Sequence, residues 1–199
     1  MHHQLYINIM KDKLKKYING IQKIPGELSD EFLNFWYLKE APKKEIITQI
    51  GVTERFLYFT IDGIQKAYYL TDGKEYIIAF TYPFAFTCIS ESFLTQFPSK
   101  YCFECITASK FYRISYTDFF SFVDKHSEFE TLLRKSLTNI LKGVVTRYHR
   151  LLAYSMEERF HNFMVNSPQL QNLIPQKDIA NYLKMDPTNF SKLINSIKL

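Results

Sequence analysis

The spacing of apolar residues changes twice along the chain and divides it into three zones. In the first, Leu5, Ile9 and Leu14 recur at near-helical intervals, which predicts an opening helix. Leu28 to Leu38 predicts a second helix, with Ser29 or Asp30 as its N-cap and Pro42 closing it. From Glu45 the period shortens, and β-branched and aromatic residues gather into short runs between turn signals. Ile46 to Ile50, Phe56 to Ile61, Gln65 to Leu70 and Glu75 to Phe80 read as strands. Asp62-Gly63 and Asp72-Gly73 separate three of them, and Asp-Gly supplies the positive φ angles of tight two-residue hairpins. This predicts an antiparallel meander. Strand formers continue through Phe86 to Ile89 and Tyr101 to Ser115, interrupted by the polar segment Ser90 to Lys100, which predicts a short helix and loop.

The third zone is helical. Thr117 or Asp118 can cap a helix near Tyr116, and Leu133, Leu137, Ile140, Val144, Tyr148 and Leu151 then alternate spacings of four and three. A seam this regular predicts pairing with a second copy of the chain, the alternative being a face packed on the protein's own strands. Further on, Ile174-Pro175-Gln176 starts a short helix whose buried face is Ile179, Ala180 and Leu183. Lys184-Met185 makes a turn. Asp186 caps the next helix, Pro187 takes its first position, and Phe190, Leu193, Ile194 and Ile197 face inward. Two short helices joined this way, with a small residue at Ala180 where they cross, predict a helix-turn-helix. The outer face of its second helix carries Thr188, Asn189, Ser191, Lys192 and Asn195, short donors and acceptors with a cation, suited to base edges and phosphates. A solvated face on a small helical subdomain is the plainer reading of the same residues.

Composition narrows the class. With 199 residues, 46% of them apolar and 17% aromatic, the chain can bury a core. The net charge of +5 is unevenly spread: residues 25–133 carry −5, whereas 134–154 hold five basic residues and no acid. An acidic body joined to a basic helix suits a protein that meets a polyanion at one end. No apolar run reaches the length of a membrane span and the start lacks a signal-peptide pattern, so a cytoplasmic protein without membrane contact is expected. Three cysteines make no disulfide framework and are expected as free thiols. The strand region 45–116 has no histidine, and Cys102 and Cys105 would point to opposite faces of a strand. Nucleophile elbows, phosphate loops and zinc-protease motifs are missing as well. No catalytic residue, metal or cofactor is therefore expected, and the chain does not read as an enzyme.

The arrangement resembles the Crp/Fnr family of bacterial regulators, in particular compact members that end just after the recognition helix. The resemblance is carried by the run Ile174-Pro-Gln-Lys-Asp-Ile-Ala-Asn-Tyr-Leu-Lys-Met-Asp-Pro-Thr-Asn-Phe-Ser-Lys-Leu, by Glu91-Ser-Phe-Leu-Thr-Gln-Phe-Pro-Ser and by Ile114-Ser-Tyr. It implies an α+β protein: an N-terminal antiparallel β-roll of the cyclic nucleotide-binding (jelly-roll) type over residues 1–125, a long dimerisation helix over 126–154 and a C-terminal helix-turn-helix over 155–199. It implies a homodimer that binds double-stranded DNA and regulates transcription, with RNA polymerase and a small-molecule effector as further partners. Ser191 and Lys192 match the Ser-Arg pair that opens the DNA-reading face in many relatives. Two departures stand out. Lys184 occupies the turn where the family usually has Gly, and Phe86 to Tyr101 has neither the Gly nor the Arg that hold a cyclic phosphate. Glu91, Ser92, Ser99 and Lys100 are the residues of that stretch that could bind an effector, which is expected not to be cyclic AMP. The competing expectation is a sensor or interaction module of the same architecture that no longer reads DNA.

Overall fold

Over the residues that the structure describes, eight antiparallel strands form two four-stranded sheets, with helices before and after them. The structure, a computed structural model, describes residues 2–196 and the side chains of 9–168 and 170–196. Helices α1 (His2–Ile21) and α2 (Gly26–Leu33) precede β1 (Tyr37–Ala41), β2 (Ile46–Thr48), β3 (Phe56–Asp62), β4 (Gln65–Thr71), β5 (Lys74–Thr81) and β6 (Phe86–Thr87). The short helix α3 (Ser90–Thr95) leads to β7 (Cys102–Cys105) and β8 (Ser109–Ser115). One sheet runs β1-β8-β3-β6 and the other β2-β7-β4-β5. This is the expected α+β class with an antiparallel β-roll.

The two Asp-Gly pairs do different work. Asp72 and Gly73 both have positive φ, 53° and 73°, and close the β4–β5 hairpin as the sequence predicts. Asp62-Gly63 does not make a hairpin, because β3 and β4 lie in different sheets. Gly63 is needed instead for a close approach: a Cβ there would sit 2.3 Å from Ser109 Oγ and 2.5 Å from the Ala108 carbonyl. The predicted meander is thus replaced by a crossing from sheet to sheet, a distinction that local turn chemistry cannot express.

The opening also departs from the periodicity. Ile9 is 45% exposed while Leu14 and Ile18 are fully buried, and Leu5 lies outside the described side chains. The helix expected over Leu28 to Leu38 begins earlier, after Pro25, and stops at Leu33, because Tyr37–Ala41 pairs with β8 as a strand. Ser29, expected as a cap, is buried inside α2. Strand pairing outweighs helix propensity here, since β8 offers a full ladder of partners. Past the sheets, α4 (Tyr116–Val123) is capped by Ser115, whose Oγ accepts from the Asp118 N–H at 3.0 Å, rather than by Thr117 or Asp118. Leu14, Ile18, Phe32, Trp36, Phe59, Ile114, Phe119, Phe122 and Phe129 join α1, α2, α4 and the start of the long helix α5 (Ser127–Ala153) to the first sheet in one core.

Candidate nucleic-acid interface

Among the described residues three α-helices follow α5. Ser155 and Glu158 form a reciprocal capping box at the start of α6 (Met156–Asn166), a helix that the apolar spacing alone does not mark but that the Ser-x-x-Glu signature could have located. A 3₁₀ turn at Pro168–Leu170 leads to α7 (Gln176–Tyr182), and α8 (Pro187–Ser196) closes the described chain. Phe160, Phe163, Ile179, Ala180, Leu183 and Phe190 make their common core, with Phe160 and Phe190 edge-to-face at 5.4 Å. Ile197, expected to face inward, lies outside the described residues.

The turn between α7 and α8 is a Schellman motif. Met185 N–H donates to the Ala180 carbonyl at 2.9 Å and Lys184 N–H to that of Asn181 at 3.0 Å. Lys184 takes the left-handed conformation this motif requires, φ 57°, at a cost of about 1–2 kcal/mol relative to glycine. Its ammonium lies 5.1 Å from the centre of the Tyr76 ring, which returns about 0.5 kcal/mol. Asp186 caps α8 by accepting the Thr188 N–H at 2.8 Å, and these hydrogen bonds hold its carboxyl below the usual range.

On α8 the five predicted residues share the outer side. Thr188, Ser191, Lys192 and Asn195 are exposed and Asn189 is half-buried, while Phe190 is buried and Leu193 and Ile194 lie at the edge of the core. The side chains of Asn189, Ser191, Lys192 and Asn195 make no hydrogen bond or ion pair among the described residues. Only Thr188 is tied, to the Asp186 cap.

The helix-turn-helix is fastened to the β-roll through α7 and the edge strand β5. Asn181 accepts from the Ile77 N–H at 2.9 Å and donates to the Glu75 carbonyl at 2.8 Å, replacing the next strand of the sheet. Beneath this lies Lys66, buried, with Glu75 at 2.6 Å and Asp178 at 3.7 Å. Burial pushes the Lys66 ammonium down, but the Glu75 hydrogen bond and the charges of Asp178 and Glu104 outweigh it and hold the group above its usual range. Nothing in the local pattern signals either contact.

No protein-family model matches the sequence, and no curated protein matches it. Solved structures do. FixK2 from Bradyrhizobium japonicum superposes with a TM-score of 0.73 at 15% identity, over 81% of this chain and 83% of its own. A Crp/Fnr-family transcriptional regulator from Eubacterium rectale gives 0.67 at 12% identity, over 87% and 83%. A CooA variant from Carboxydothermus hydrogenoformans gives 0.65 at 16% identity, over 89% and 80%. The chain has the Crp/Fnr fold. At these identities the likeness concerns the fold and leaves individual side chains to be judged on their own geometry.

Within the Crp/Fnr fold, the predicted effector residues come together around α3. Glu91, Ser92, Ser99 and Lys100 line one cleft of about 220 Å³. Two of them are already engaged. Ser92 Oγ accepts the Glu54 N–H at 2.9 Å and donates to the Phe97 carbonyl at 2.6 Å, and Ser99 Oγ bridges the Tyr101 N–H and carbonyl. Glu91 and Lys100 face each other across 3.9 Å at the surface. Buried Glu54, which the sequence reading missed, anchors this region: Thr48 donates to its carboxylate at 2.5 Å and the Phe56 N–H at 3.2 Å. Burial raises the Glu54 carboxyl above its usual range despite those donors. Cys102 packs with Tyr68 and Ile77 while Cys105 belongs to the Phe103 and Phe111 cluster, as opposite-facing positions should.

The α5 seam is half-buried at both ends, Leu151 included, and exposed between them. Leu133 and Leu137 are half-buried and line an apolar groove against the β-roll, but Ile140, Val144 and Tyr148 are 47%, 59% and 63% exposed. Leu141, Val145 and Leu152, which the seam did not include, widen the exposed stripe. No helix among the described residues is long and apolar enough to cross a membrane.

Proposed function

We propose that this chain is a homodimeric, sequence-specific DNA-binding transcription regulator that inserts α8 into the major groove. The observation that carries the reading is the outer face of α8: Asn189, Ser191, Lys192 and Asn195 stand together on a helix whose other side is anchored by Phe190, and among the described residues their side chains make no hydrogen bond or ion pair. An amide can read adenine bidentately, and a lysine can hold phosphate or guanine. Solved structures that share the fold include a transcriptional regulator of the Crp/Fnr family, which supports the class.

The partner for the exposed stripe on α5 is a second copy of the chain. A stripe of large apolar residues on a 27-residue helix suits a parallel helix pair, and a two-fold pair presents two α8 helices to successive major-groove faces. The preferred DNA is then an inverted repeat with half-sites about 34 Å apart. No catalysis is assigned. Any effector held by Glu91, Ser92, Ser99 and Lys100 must replace internal hydrogen bonds of both serines, which disfavours a cyclic nucleotide whose phosphate would meet one exposed, acid-paired lysine. RNA polymerase is the partner through which such a dimer would act. Selection of bound sequences from random DNA tests the reading: an inverted repeat supports it, and recovery of no preferred sequence at moderate salt leaves the interaction-module alternative.

A further inference from the structure

A second cleft, away from both α3 and α8, opens where four elements meet. It measures about 360 Å³ and is bounded by β5, α5, α6 and the end of α7. Three arginines line it: Arg147 and Arg150 from α5, and Arg159 from α6. Among the described residues no aspartate or glutamate lines it, and none of the three arginines has a carboxylate partner.

Their donors are only partly used. Arg147 donates through Nη2 to the carbonyls of Tyr182 at 2.9 Å and Ile77 at 3.3 Å, and Arg159 reaches the Leu151 and Tyr154 carbonyls at 3.4 Å. Nε of Arg147 and Nε of Arg159 are buried without any hydrogen-bond partner. Arg150 makes no side-chain hydrogen bond among the described residues. The Arg147 guanidinium also stacks 4.4 Å from the centre of the Tyr182 ring, but gathering three cations with no carboxylate among them and leaving two buried donors empty is unfavourable unless an anion completes the site. The rings of Phe80, Tyr82, Phe163 and Tyr182 add aromatic wall, beside leucines and the polar side chains of Thr146, Asn162, Asn166 and Ser167.

We propose that this cleft binds a small organic phosphate carrying a flat ring. Guanidinium groups match phosphate oxygens in pairs, and three of them offer more donors than the two oxygens of one carboxylate can accept. The volume falls within the usual range for small-molecule sites. A ligand there touches the β-roll edge, the long helix and the first helix of the helix-turn-helix together, so its occupancy bears on how α7 sits against β5. The proposal stands on the cleft alone, whatever α8 binds.

Calorimetric titration of the full chain with phenyl phosphate, inorganic phosphate and benzoate tests it. Phenyl phosphate should bind saturably, with a dissociation constant below about 1 mM, and more tightly than either of the other two. Arg150→Gln, whose side chain makes no hydrogen bond among the described residues, should weaken it about tenfold or more with an unchanged melting temperature, and Arg159→Gln should weaken it likewise while lowering the melting temperature through loss of its contacts to the Leu151 and Tyr154 carbonyls. Lys192→Ala should leave phenyl phosphate affinity unchanged, which separates this site from phosphate contacts on α8. The proposal is overturned if wild-type protein shows no saturable binding, if benzoate binds as tightly as phenyl phosphate, or if Arg150→Gln binds as well as wild type.

Discussion

Asn181 holds Ile77 by its backbone: the side-chain oxygen accepts the Ile77 N–H at 2.9 Å, and the amide then donates to the Glu75 carbonyl. One residue of the helix-turn-helix thereby occupies an edge that would otherwise expose unpaired strand groups. Asn181→Ala should cost about 1–3 kcal/mol, since it removes two hydrogen bonds and strands a partly buried N–H. Amide exchange at Ile77 should accelerate more than at the central strand β3. Equal protection of Ile77 in both proteins would show that the contact does not hold α7 in place.

The exposed stripe on α5 predicts the assembly. Replacing both Ile140 and Val144 with Glu would set like charges against their mates in an apolar interface. Sedimentation velocity should show a dimer for the wild type and a monomer for the variant. A variant that stays dimeric would place the contact elsewhere.

The face of α8 predicts two kinds of loss. Asn189→Ala should cost about 1–3 kcal/mol on the preferred sequence and flatten discrimination at one base position. Lys192→Ala should weaken preferred and random DNA alike and lower the salt dependence by about one charge. Fluorescence anisotropy at several salt concentrations distinguishes the two patterns. If neither substitution changes affinity or preference, α8 is not the reading helix.

Lys184 predicts a gain. Lys184→Gly relieves about 1–2 kcal/mol of left-handed strain and gives up about 0.5 kcal/mol of contact with Tyr76. The freer unfolded chain takes back about another 0.5 kcal/mol, leaving a net stabilisation below about 1 kcal/mol. Urea denaturation should resolve it, and a destabilised variant would mean that the lysine does more than fill the turn.

Glu54 predicts a pH slope. Burial raises its carboxyl in the folded state above the ordinary value of 4.5. Between that value and the raised one, the folded protein retains a proton that the unfolded chain has released, so stability falls as pH rises through the window. Glu54→Gln should remove this part of the slope, and the difference in unfolding free energy between the two proteins should grow with pH in the variant's favour. A pH-independent difference would contradict the assignment.

Much of this protein is written in short-range pattern. The strands from Phe56 to Phe80, the Asp72-Gly73 hairpin, the α7 and α8 helices, the Asp186 cap and the five residues on the face of α8 follow from period, turn chemistry and capping, which depend on neighbours a few residues apart. Tyr37–Ala41 became a strand because β8, over 70 residues later, offered a ladder. Gly63 serves a crossing because the backbone at Ala108 and Ser109 approaches it. Asn181 on β5, Lys66 between Glu75 and Asp178, the burial of Glu54 and the convergence of Arg147, Arg150 and Arg159 likewise join distant segments. Their partners have no fixed separation along the chain, so no local period encodes them. The sequence by itself determined which elements form and which residues α8 presents; only the tertiary structure decided which elements touch, which charges are left without partners, and which apolar faces are left bare.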